Sequence, residues 1–290
     1  MRRALVLSGG GARAVWEVGA CQHLILERRY WFDVIAGVSA GAVNGAALAH
    51  AHDPPGLESE LEHLRSVWFG VRGGRDIYQR RPLGALGMVL GRSSSLHDVG
   101  PLRRLLTREI DPPRVAASPV RLRIGYVDLL SRRYRTARND HPALVDAVLA
   151  SCALPLVFPP VPLGNGQELG VDGGVRNVTP LADAVSALTE GKESPDEPDE
   201  VWVLVPEPLR RIRRSAIGHW LGVVLRSSLC RSSEGTFAEA LERRDVTLRV
   251  LHPRQELPGA SLDFDPAKLR AWYEDGLRTA REAEAAEAAA

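Results

Sequence analysis

Apolar clusters and glycine-rich turns alternate over the first fifty residues. Residues 3–8 (RALVLS) form a short apolar run typical of a buried strand, and residues 15–29 repeat apolar side chains at helical spacing. Residues 33–38 (DVIAGV) predict a second buried strand, followed over residues 40–51 by a helix of mostly small side chains. The order strand, turn, helix, strand, turn, helix is the βαβα pattern of a parallel sheet. The pattern therefore predicts an α/β fold.

The remaining chain continues this mixture of strands and helices. Further strands are predicted at residues 120–129, 132–137, 168–171, 201–206 and 246–251, the first two as a hairpin. Further helices are predicted at residues 57–69, 100–108, 142–151, 180–188, 215–228, 234–243 and 266–287. No segment repeats with a period of 20–50 residues, which argues against a solenoid. We expect one domain over residues 1–290, because the length suits one large α/β unit.

Charge and composition exclude several classes of protein. The 37 Lys and Arg residues nearly balance the 36 Asp and Glu residues, and a net charge of +1 argues against a general nucleic-acid binder. Three cysteines without a CxxC pair predict neither a disulfide framework nor a zinc site. The N-terminal apolar run is too short for a signal peptide, and no run approaches 18 apolar residues. We therefore expect a cytoplasmic protein.

Three consecutive glycines, Gly9, Gly10 and Gly11, follow the first strand. Backbone N–H groups in such a turn face anionic groups at the start of the next helix. One hypothesis is a dinucleotide site, in which Ala14 takes the last position of the fingerprint. That site requires an acidic residue after the second strand, whereas Asp33 precedes it. The second hypothesis is an oxyanion hole for acyl transfer.

A GxSxG motif, Gly37-Val38-Ser39-Ala40-Gly41, joins the second predicted strand to the next helix. This is the position of a nucleophile elbow, where a strained turn exposes a serine and small residues must flank it. Gly37 and Gly41 fit that requirement. An ordinary α/β-hydrolase would also need a histidine base, and the eight histidines are scattered without distinctive surroundings.

An Asp-Gly-Gly sequence supplies a candidate base for this serine. Asp172 follows a short strand-like segment, and Gly173 and Gly174 let the backbone turn sharply behind it. Taken alone, the sequence is typical of an ordinary turn. Combined with a glycine loop and a GxSxG serine, it indicates a carboxylate that activates the nucleophile.

Four motifs in this order resemble the patatin-like phospholipase family: SGGGAR at 8–13, GVSAG at 37–41, SCALPLVFPPV at 151–161 and DGG at 172–174. The resemblance covers a motif-bearing core of about residues 4–185, and a C-terminal helical part of about 207–290 follows it. It implies a three-layer α/β/α fold with a mainly parallel central sheet. It also implies a serine lipid acyl hydrolase of the phospholipase A or lipase-esterase type, requiring no cofactor or metal.

The resemblance assigns roles to particular residues. Ser39 is expected to be the nucleophile and Asp172 the base. The amides of the glycine loop (residues 9–11) are expected to form the oxyanion hole, with Arg13 holding that loop.

One residue departs from the family pattern, which has glycine where this chain has Ala14. If that position required a positive φ, alanine would strain the loop and weaken the oxyanion hole. The alternatives are therefore a catalytically impaired lipid- or acyl-binding module, or a small-ester or thioester hydrolase.

The expected partner is a fatty-acyl ester or phospholipid. Residues 209–225 (LRRIRRSAIGHWLGVVL) suggest peripheral membrane contact, because arginines precede an apolar stretch containing Trp220. A helix packed on the sheet, with its arginines solvated, is the interpretation we favour for this segment. The sequence makes no prediction of the oligomeric state.

Overall fold

A mainly parallel β-sheet organises the structure, a computed structural model that describes residues 1–81, 94–190, 199–208 and 246–288. The strands are β1 Arg3–Leu7, β2 Val34–Val38, β3 Gln79–Arg80, β4 His97–Asp98, β5 Arg121–Asp128, β6 Arg133–Ala137, β7 Val161–Leu163, β8 Glu168–Asp172, β9 Asp199–Leu204 and β10 Val246–Leu251. The main sheet has the order β10-β9-β1-β2-β5-β8-β7, and β6 also pairs with β5. Strands β3 and β4 form a separate antiparallel pair.

The strand directions divide the main sheet into two parts. The five strands β10, β9, β1, β2 and β5 are parallel to their neighbours. Beyond β5 the pairing becomes antiparallel: β6 and β8 both run against β5, and β7 runs against β8. The predicted β5–β6 hairpin is therefore confirmed.

Helices cover both faces of the sheet. They are α1 Val15–Cys21, α2 Ala40–Leu48, α3 Pro54–Gly70, α4 Gly100–Glu109, α5 Pro112–Ala117, α6 Leu144–Ser151, α7 Leu181–Thr189 and α8 Pro266–Ala288. Local sequence explains several starts; α3, for example, begins with Pro54 and Pro55 after Asp53, whose carboxylate accepts a hydrogen bond from the Gly56 N–H at 2.7 Å. None of the described helices has the length and apolarity needed to span a bilayer.

Side chains of β1 alternate between two cores. Ala4 and Val6 pack in a smaller cluster with α7, whereas Leu5 and Leu7 pack in a larger cluster with α1, α2, α3, α6 and α8. Helix α7 thus lies on one face of the sheet and the other main helices lie on the opposite face. This arrangement confirms the expected three-layer α/β/α fold.

The structure differs from the sequence prediction in a few elements. The helix predicted over 15–29 changes to a π-helix at Gln22–Glu27. Helix α5 and strands β3, β4 and β7 were not predicted, because each is only two to six residues long. The predicted helices at 215–228 and 234–243, and the segment 209–225, lie outside the described residues.

The strand register brings distant segments to one edge of the sheet. Val38, the last residue of β2, is opposite Gly125 of β5, and the next β5 residue, Tyr126, is opposite Asp172 of β8. The glycine loop leaves β1 at this same carboxyl edge, because β1 and β2 are parallel. The topology therefore brings the candidate nucleophile, base and oxyanion loop together.

Candidate active site

Ser39 lies in a sharp turn between β2 and α2. Its backbone has φ 56° and ψ −130°, in a region that a residue with a side chain rarely adopts. Neighbouring backbone leaves no room for a side chain at either flanking glycine. A Cβ on Gly37 would lie 2.3 Å from the Gly41 carbonyl oxygen, and a Cβ on Gly41 would lie 2.3 Å from the Leu7 carbonyl oxygen. The turn therefore has the geometry of a nucleophile elbow.

The Asp172 carboxylate lies next to the serine. The Ser39 hydroxyl is close enough to this carboxylate to favour its ionised form. The Asp172 Oδ1 accepts a hydrogen bond from the Gly174 N–H at 2.7 Å. The turn behind it needs glycine, because a Cβ on Gly173 would lie 2.4 Å from the Gly125 carbonyl oxygen. Three segments distant in sequence thus fix one serine–carboxylate pair.

Burial changes the acidity of Asp172, which is 5% exposed. Loss of hydration raises its pKa to about 6, although the nearby Ser39 hydroxyl and the hydrogen bond from Gly174 act in the opposite direction. A carboxylate with this pKa is a stronger base than an exposed aspartate and is still ionised at neutral pH.

The glycine loop offers two uncommitted amides. The Gly9 N–H donates to the Val178 carbonyl oxygen at 2.9 Å. The N–H groups of Gly10 and Gly11 make no hydrogen bond to another residue in the described ranges. The expected set of oxyanion donors therefore narrows from three amides to these two.

Close packing explains why the loop is built from glycine. Gly11 has φ 59°, and a Cβ there would lie 2.1 Å from the Ser261 carbonyl oxygen. That same oxygen accepts a hydrogen bond from the Ala12 N–H at 2.7 Å. A segment near the other end of the chain therefore holds the loop.

Arg13 holds the base of the loop from outside the cavity. Its side chain is buried, forms an ion pair with Glu207 at 3.0 Å and donates to the Gly259 carbonyl oxygen. Sequence reasoning missed Glu207, Gly259 and Ser261, because all three lie beyond the recognised motifs.

Backbone strain is absent at Ala14. Its φ of −65° and ψ of −9° are ordinary right-handed helical values, because Ala14 immediately precedes helix α1. The hypothesis of a strained alanine at this position is therefore wrong. The positive φ occurs at Gly11 instead.

Two residues of the 151–161 motif hold the elbow in place. The Ser151 hydroxyl accepts a hydrogen bond from the Ser39 N–H at 2.9 Å and donates to the Gly125 carbonyl oxygen at 2.6 Å. The Cys152 thiol donates to the Ser39 carbonyl oxygen at 3.2 Å. Sequence reasoning did not identify this role, although both residues belong to a motif it singled out.

An apolar cavity of about 300 Å³ adjoins the dyad. Ser39, Asp172 and the three loop glycines line it together with apolar side chains of α2, α3 and α4. These apolar residues are Val43, Leu64, Val67, Trp68, Leu102 and Leu105. Leu154 and Phe158 complete another part of the wall. The cavity therefore joins a reactive serine to a space suited to a hydrocarbon chain.

A buried polar network lies behind the cavity wall. The Trp68 indole N–H donates to Asn44 at 2.8 Å, and the Asn44 amide donates to the Glu17 carboxyl at 3.0 Å. Burial raises the pKa of Glu17 well above its ordinary value and thereby favours the protonated carboxyl. The network links α1, α2 and α3 around the elbow helix.

Other chemistry lacks support in the described residues. Asp33 lies at the amino edge of the sheet, opposite the glycine loop, where it accepts a hydrogen bond from the Arg3 N–H at 2.8 Å. This position does not suit a dinucleotide ribose. No histidine of the described ranges lines the cavity. The same ranges contain no group of three or more His, Cys, Asp or Glu side chains arranged to hold a metal ion.

The comparison with protein families agrees with the motifs. A family model described as patatin-like phospholipase matches residues 5–185. No curated protein sequence matches the chain. Among solved structures, VipD from Legionella pneumophila aligns with 97% of this chain at 15% identity and a TM-score of 0.48. The type III effector protein ExoU aligns with 96% at 15% identity and a TM-score of 0.36. The alignments span 66% of VipD and 52% of ExoU.

Proposed function

The chain belongs to the patatin-like phospholipase family, and on this premise we propose that it hydrolyses fatty-acyl esters through a Ser39–Asp172 dyad. The observation that carries the proposal is the buried Asp172 carboxylate beside Ser39, in a cavity with apolar walls. The amides of Gly10 and Gly11 act as the oxyanion donors. The reaction is that of a phospholipase A or a lipase-esterase.

Acylation begins with a proton transfer within the dyad. The Ser39 oxygen attacks the acyl carbonyl carbon while Asp172 accepts the hydroxyl proton. The carbonyl oxygen becomes an oxyanion, and hydrogen bonds from the loop amides stabilise it. When the tetrahedral intermediate collapses, the bond to the leaving alcohol breaks and Asp172 returns its proton to that oxygen. An acyl ester on Ser39 remains.

Deacylation uses the same groups in a second cycle. Asp172 accepts a proton from a water molecule, whose oxygen attacks the acyl carbonyl carbon. Collapse of the second intermediate releases the fatty acid, and the proton passes from Asp172 back to the Ser39 oxygen. The enzyme returns to its starting state without a cofactor.

The cavity wall supports a long-chain acyl group as the substrate. Branched and aromatic side chains from three helices surround the space next to Ser39, so each methylene group placed there leaves water. Burial of one methylene group is worth about 0.8 kcal/mol. A long acyl chain therefore gains more from this cavity than a short one, which favours lipid esters over small esters.

The normal backbone at Ala14 removes the reason for proposing an impaired enzyme. That alternative depended on a strained loop, and the strain is absent. Rates on esters of different chain length distinguish a lipid hydrolase from a small-ester or thioester hydrolase. For a lipid hydrolase we expect kcat/KM to rise with acyl-chain length until the cavity is filled.

Covalent labelling tests the proposal most directly. We expect a fluorophosphonate with a long alkyl chain to form one adduct, located on Ser39 by intact-mass measurement and peptide mapping. The adduct should be absent in Ser39→Ala and strongly slowed in Asp172→Asn, because the serine then lacks its base.

Ser261→Ala is the matched control. Ser261 lines the same cavity but has no carboxylate partner among the described residues, so removal of its hydroxyl should leave labelling of Ser39 unchanged. An adduct elsewhere, or equal labelling of folded Asp172→Asn, would contradict the dyad.

A further inference from the structure

Exposed leucines gather at the edge of the sheet that carries the dyad. Among the described residues, the large apolar side chains that are more than a third exposed are Met1 at 59%, Leu96 at 37%, Leu129 at 43%, Leu130 at 61% and Leu156 at 44%. Apart from Met1, the first residue, all of them lie at the carboxyl edge. A single exposed leucine requires no explanation, but four at one edge indicate a contact surface.

Two of these leucines occupy the turn between β5 and β6. Strand β5 continues for three residues beyond Gly125, which is level with the end of β2, so the turn projects past the dyad. Asp128 makes the turn rigid, because its carboxylate accepts hydrogen bonds from the N–H groups of Leu130 and Ser131, both at 3.1 Å. Burial opposes ionisation of Asp128, but hydrogen bonds outweigh it and lower its pKa to about 2.

Two arginines follow the leucines in the same turn. Arg132 and Arg133 are exposed, and the side chain of neither makes an ion pair or a hydrogen bond within the described ranges. Arg132 also has φ 57°, where glycine or asparagine would adopt the backbone at lower cost. The turn therefore combines exposed apolar side chains with two arginine side chains that form no ion pair within the described ranges. We name residues 129–133 the docking turn.

A second exposed apolar side chain, that of Leu156, lies beside the cavity wall. Leu156 is exposed and has φ 69°, whereas Leu154 and Phe158 on either side of it line the cavity. Leu96 lies next to it, and its N–H donates to the Leu156 carbonyl oxygen at 3.0 Å. The same short segment thus presents apolar side chains both to the cavity and to the outer surface.

We propose that the docking turn, together with Leu156, binds the surface of an anionic lipid bilayer. The leucines enter the boundary between head groups and acyl chains, and Arg132 and Arg133 contact lipid phosphates. Positive charge without an internal partner complements an anionic bilayer and is unfavourable at a neutral one. The inference rests on the proposed function, because it gives a membrane lipid a route to the apolar cavity.

Vesicle flotation of the full chain tests this surface without hydrolysis. The protein carries Ser39→Ala so that the lipids remain intact, and the vesicles contain phosphatidylcholine with or without phosphatidylglycerol. Arg132→Gln with Arg133→Gln should weaken binding to anionic vesicles about 25-fold, at roughly fivefold for each arginine near the surface. High salt should reduce binding of the parent but have less effect on this variant.

The apolar contribution needs a separate variant. Leu129→Ser with Leu130→Ser should weaken binding by about tenfold or more on both kinds of vesicle, because leucine insertion does not depend on lipid charge. Arg138→Gln is the matched control: Arg138 lies just after the other end of β6, is 59% exposed and pairs with Glu190. Loss of the Arg138 charge should change vesicle binding by less than about twofold, because Arg138 lies more than a Debye length from the bilayer surface.

The Arg132→Gly variant tests whether misfolding could account for weaker vesicle binding. Glycine suits φ 57°, so this variant should unfold at the same or a higher temperature while its affinity for anionic vesicles falls about fivefold. Parent-like vesicle binding in the arginine and leucine variants, or no binding by the parent to either vesicle, would overturn the docking surface.

A soluble ester separates this inference from the proposed function. With Ser39 intact, the docking-turn variants should hydrolyse a monomeric short-chain ester at the parent rate, because the turn does not line the cavity. A reduced rate would place the turn in the site rather than at a membrane and would overturn the inference. If the parent shows no hydrolysis of any ester, the proposed function fails, while the flotation results still decide the docking surface.

Discussion

The two edges of the parallel sheet differ in how their polar groups are paired. At the amino edge, Glu200 accepts hydrogen bonds from Arg3 at 2.7 Å and from Arg249 at 2.5 Å, and thereby joins three neighbouring strands. At the carboxyl edge, the amides of Gly10 and Gly11 have no partner within the described ranges, and both residues line the cavity. Backbone strain also concentrates there, at Ser39 among others.

This difference indicates a division of labour. Paired charges at the amino edge contribute to stability, because a buried charged group without its partner would destabilise the folded state. Unpaired donors, a desolvated carboxylate and a strained turn at the carboxyl edge reduce stability, but they are available to a substrate. Substitutions at the two edges should therefore have opposite effects on stability and activity.

Asp172→Asn is expected to give the largest effect. Loss of the base should lower kcat for ester hydrolysis by about 1000-fold. The variant should also be more stable than the parent at neutral pH. The pKa of Asp172 is raised from 3.8 to about 6 in the folded state, so stability from the protonated carboxyl is lost as the pH rises through this range.

Asparagine does not ionise, and the gap in unfolding free energy between the two proteins should therefore widen from pH 4 to pH 7. For the full shift it should reach about 3 kcal/mol. Denaturant titrations at several pH values measure this gap. A variant that is both active and less stable at every pH would contradict the division between the edges.

Gly11→Ala should cost about 100-fold in kcat, because the added Cβ meets the Ser261 carbonyl oxygen and displaces an oxyanion donor. The left-handed φ adds about 1 kcal/mol or more of strain. Steady-state kinetics with a soluble ester and thermal unfolding test both effects. Gly70→Ala is the matched control, since a Cβ there meets nothing within 4 Å. If the two variants had the same kcat and the same unfolding temperature, the glycine loop would not be part of the active site.

The pH dependence of kcat/KM should follow the ionisation of Asp172 and should not depend on the charged groups at the amino edge. Because Asp172 must be ionised to accept the serine proton, kcat/KM should fall about tenfold for each pH unit below about 6. A profile measured with a soluble ester avoids effects of lipid charge. A midpoint near 4 would mean that the carboxylate is hydrated during turnover.

Glu200→Gln should affect stability but not turnover. Burial opposes ionisation of Glu200, but hydrogen bonds from Arg3 and Arg249 outweigh it and lower its pKa. Removing the charge should lower the unfolding free energy by about 2 kcal/mol, with kcat unchanged within about twofold. Since the pKa is lowered, this contribution is present at neutral pH and is lost on acidification. A large loss of activity would mean that the edges are coupled.

Ala14→Gly should have the smallest effect. With ordinary helical dihedral angles at this position, glycine relieves no strain and should destabilise the protein by about 0.5–1 kcal/mol. Hydrolysis should not become faster. A clear gain in kcat would show that the loop conformation limits the reaction after all.

Much of the fold follows from local sequence patterns. Apolar runs located β1, β2 and β5, and the hairpin signal correctly paired β5 with β6, because burial and turn geometry act over short distances. The resemblance to a family located Ser39 and Asp172, which the structure brings together. The spatial order of the strands did not follow from pattern alone, since β1 pairs with β9, which is far from it in sequence.

The supporting contacts could not be predicted because they depend on tertiary packing. The commitment of the Gly9 amide to Val178 depends on where two loops meet. The positive φ at Gly11, rather than at Ala14, depends on Ser261. Ser151 was visible within a recognised motif, but only the structure shows its hydroxyl between the elbow and β5.

The contact between Ser261 and the glycine loop has a consequence for biosynthesis. All four sequence motifs have been translated once Gly174 is in place, yet the loop is held by a carbonyl group that is added much later. At typical translation speeds, several seconds or more separate these two events. During that interval the nascent chain contains its nucleophile and base but lacks the segment that fixes the oxyanion loop. Ester hydrolysis should therefore begin only as the C-terminal segment leaves the ribosome.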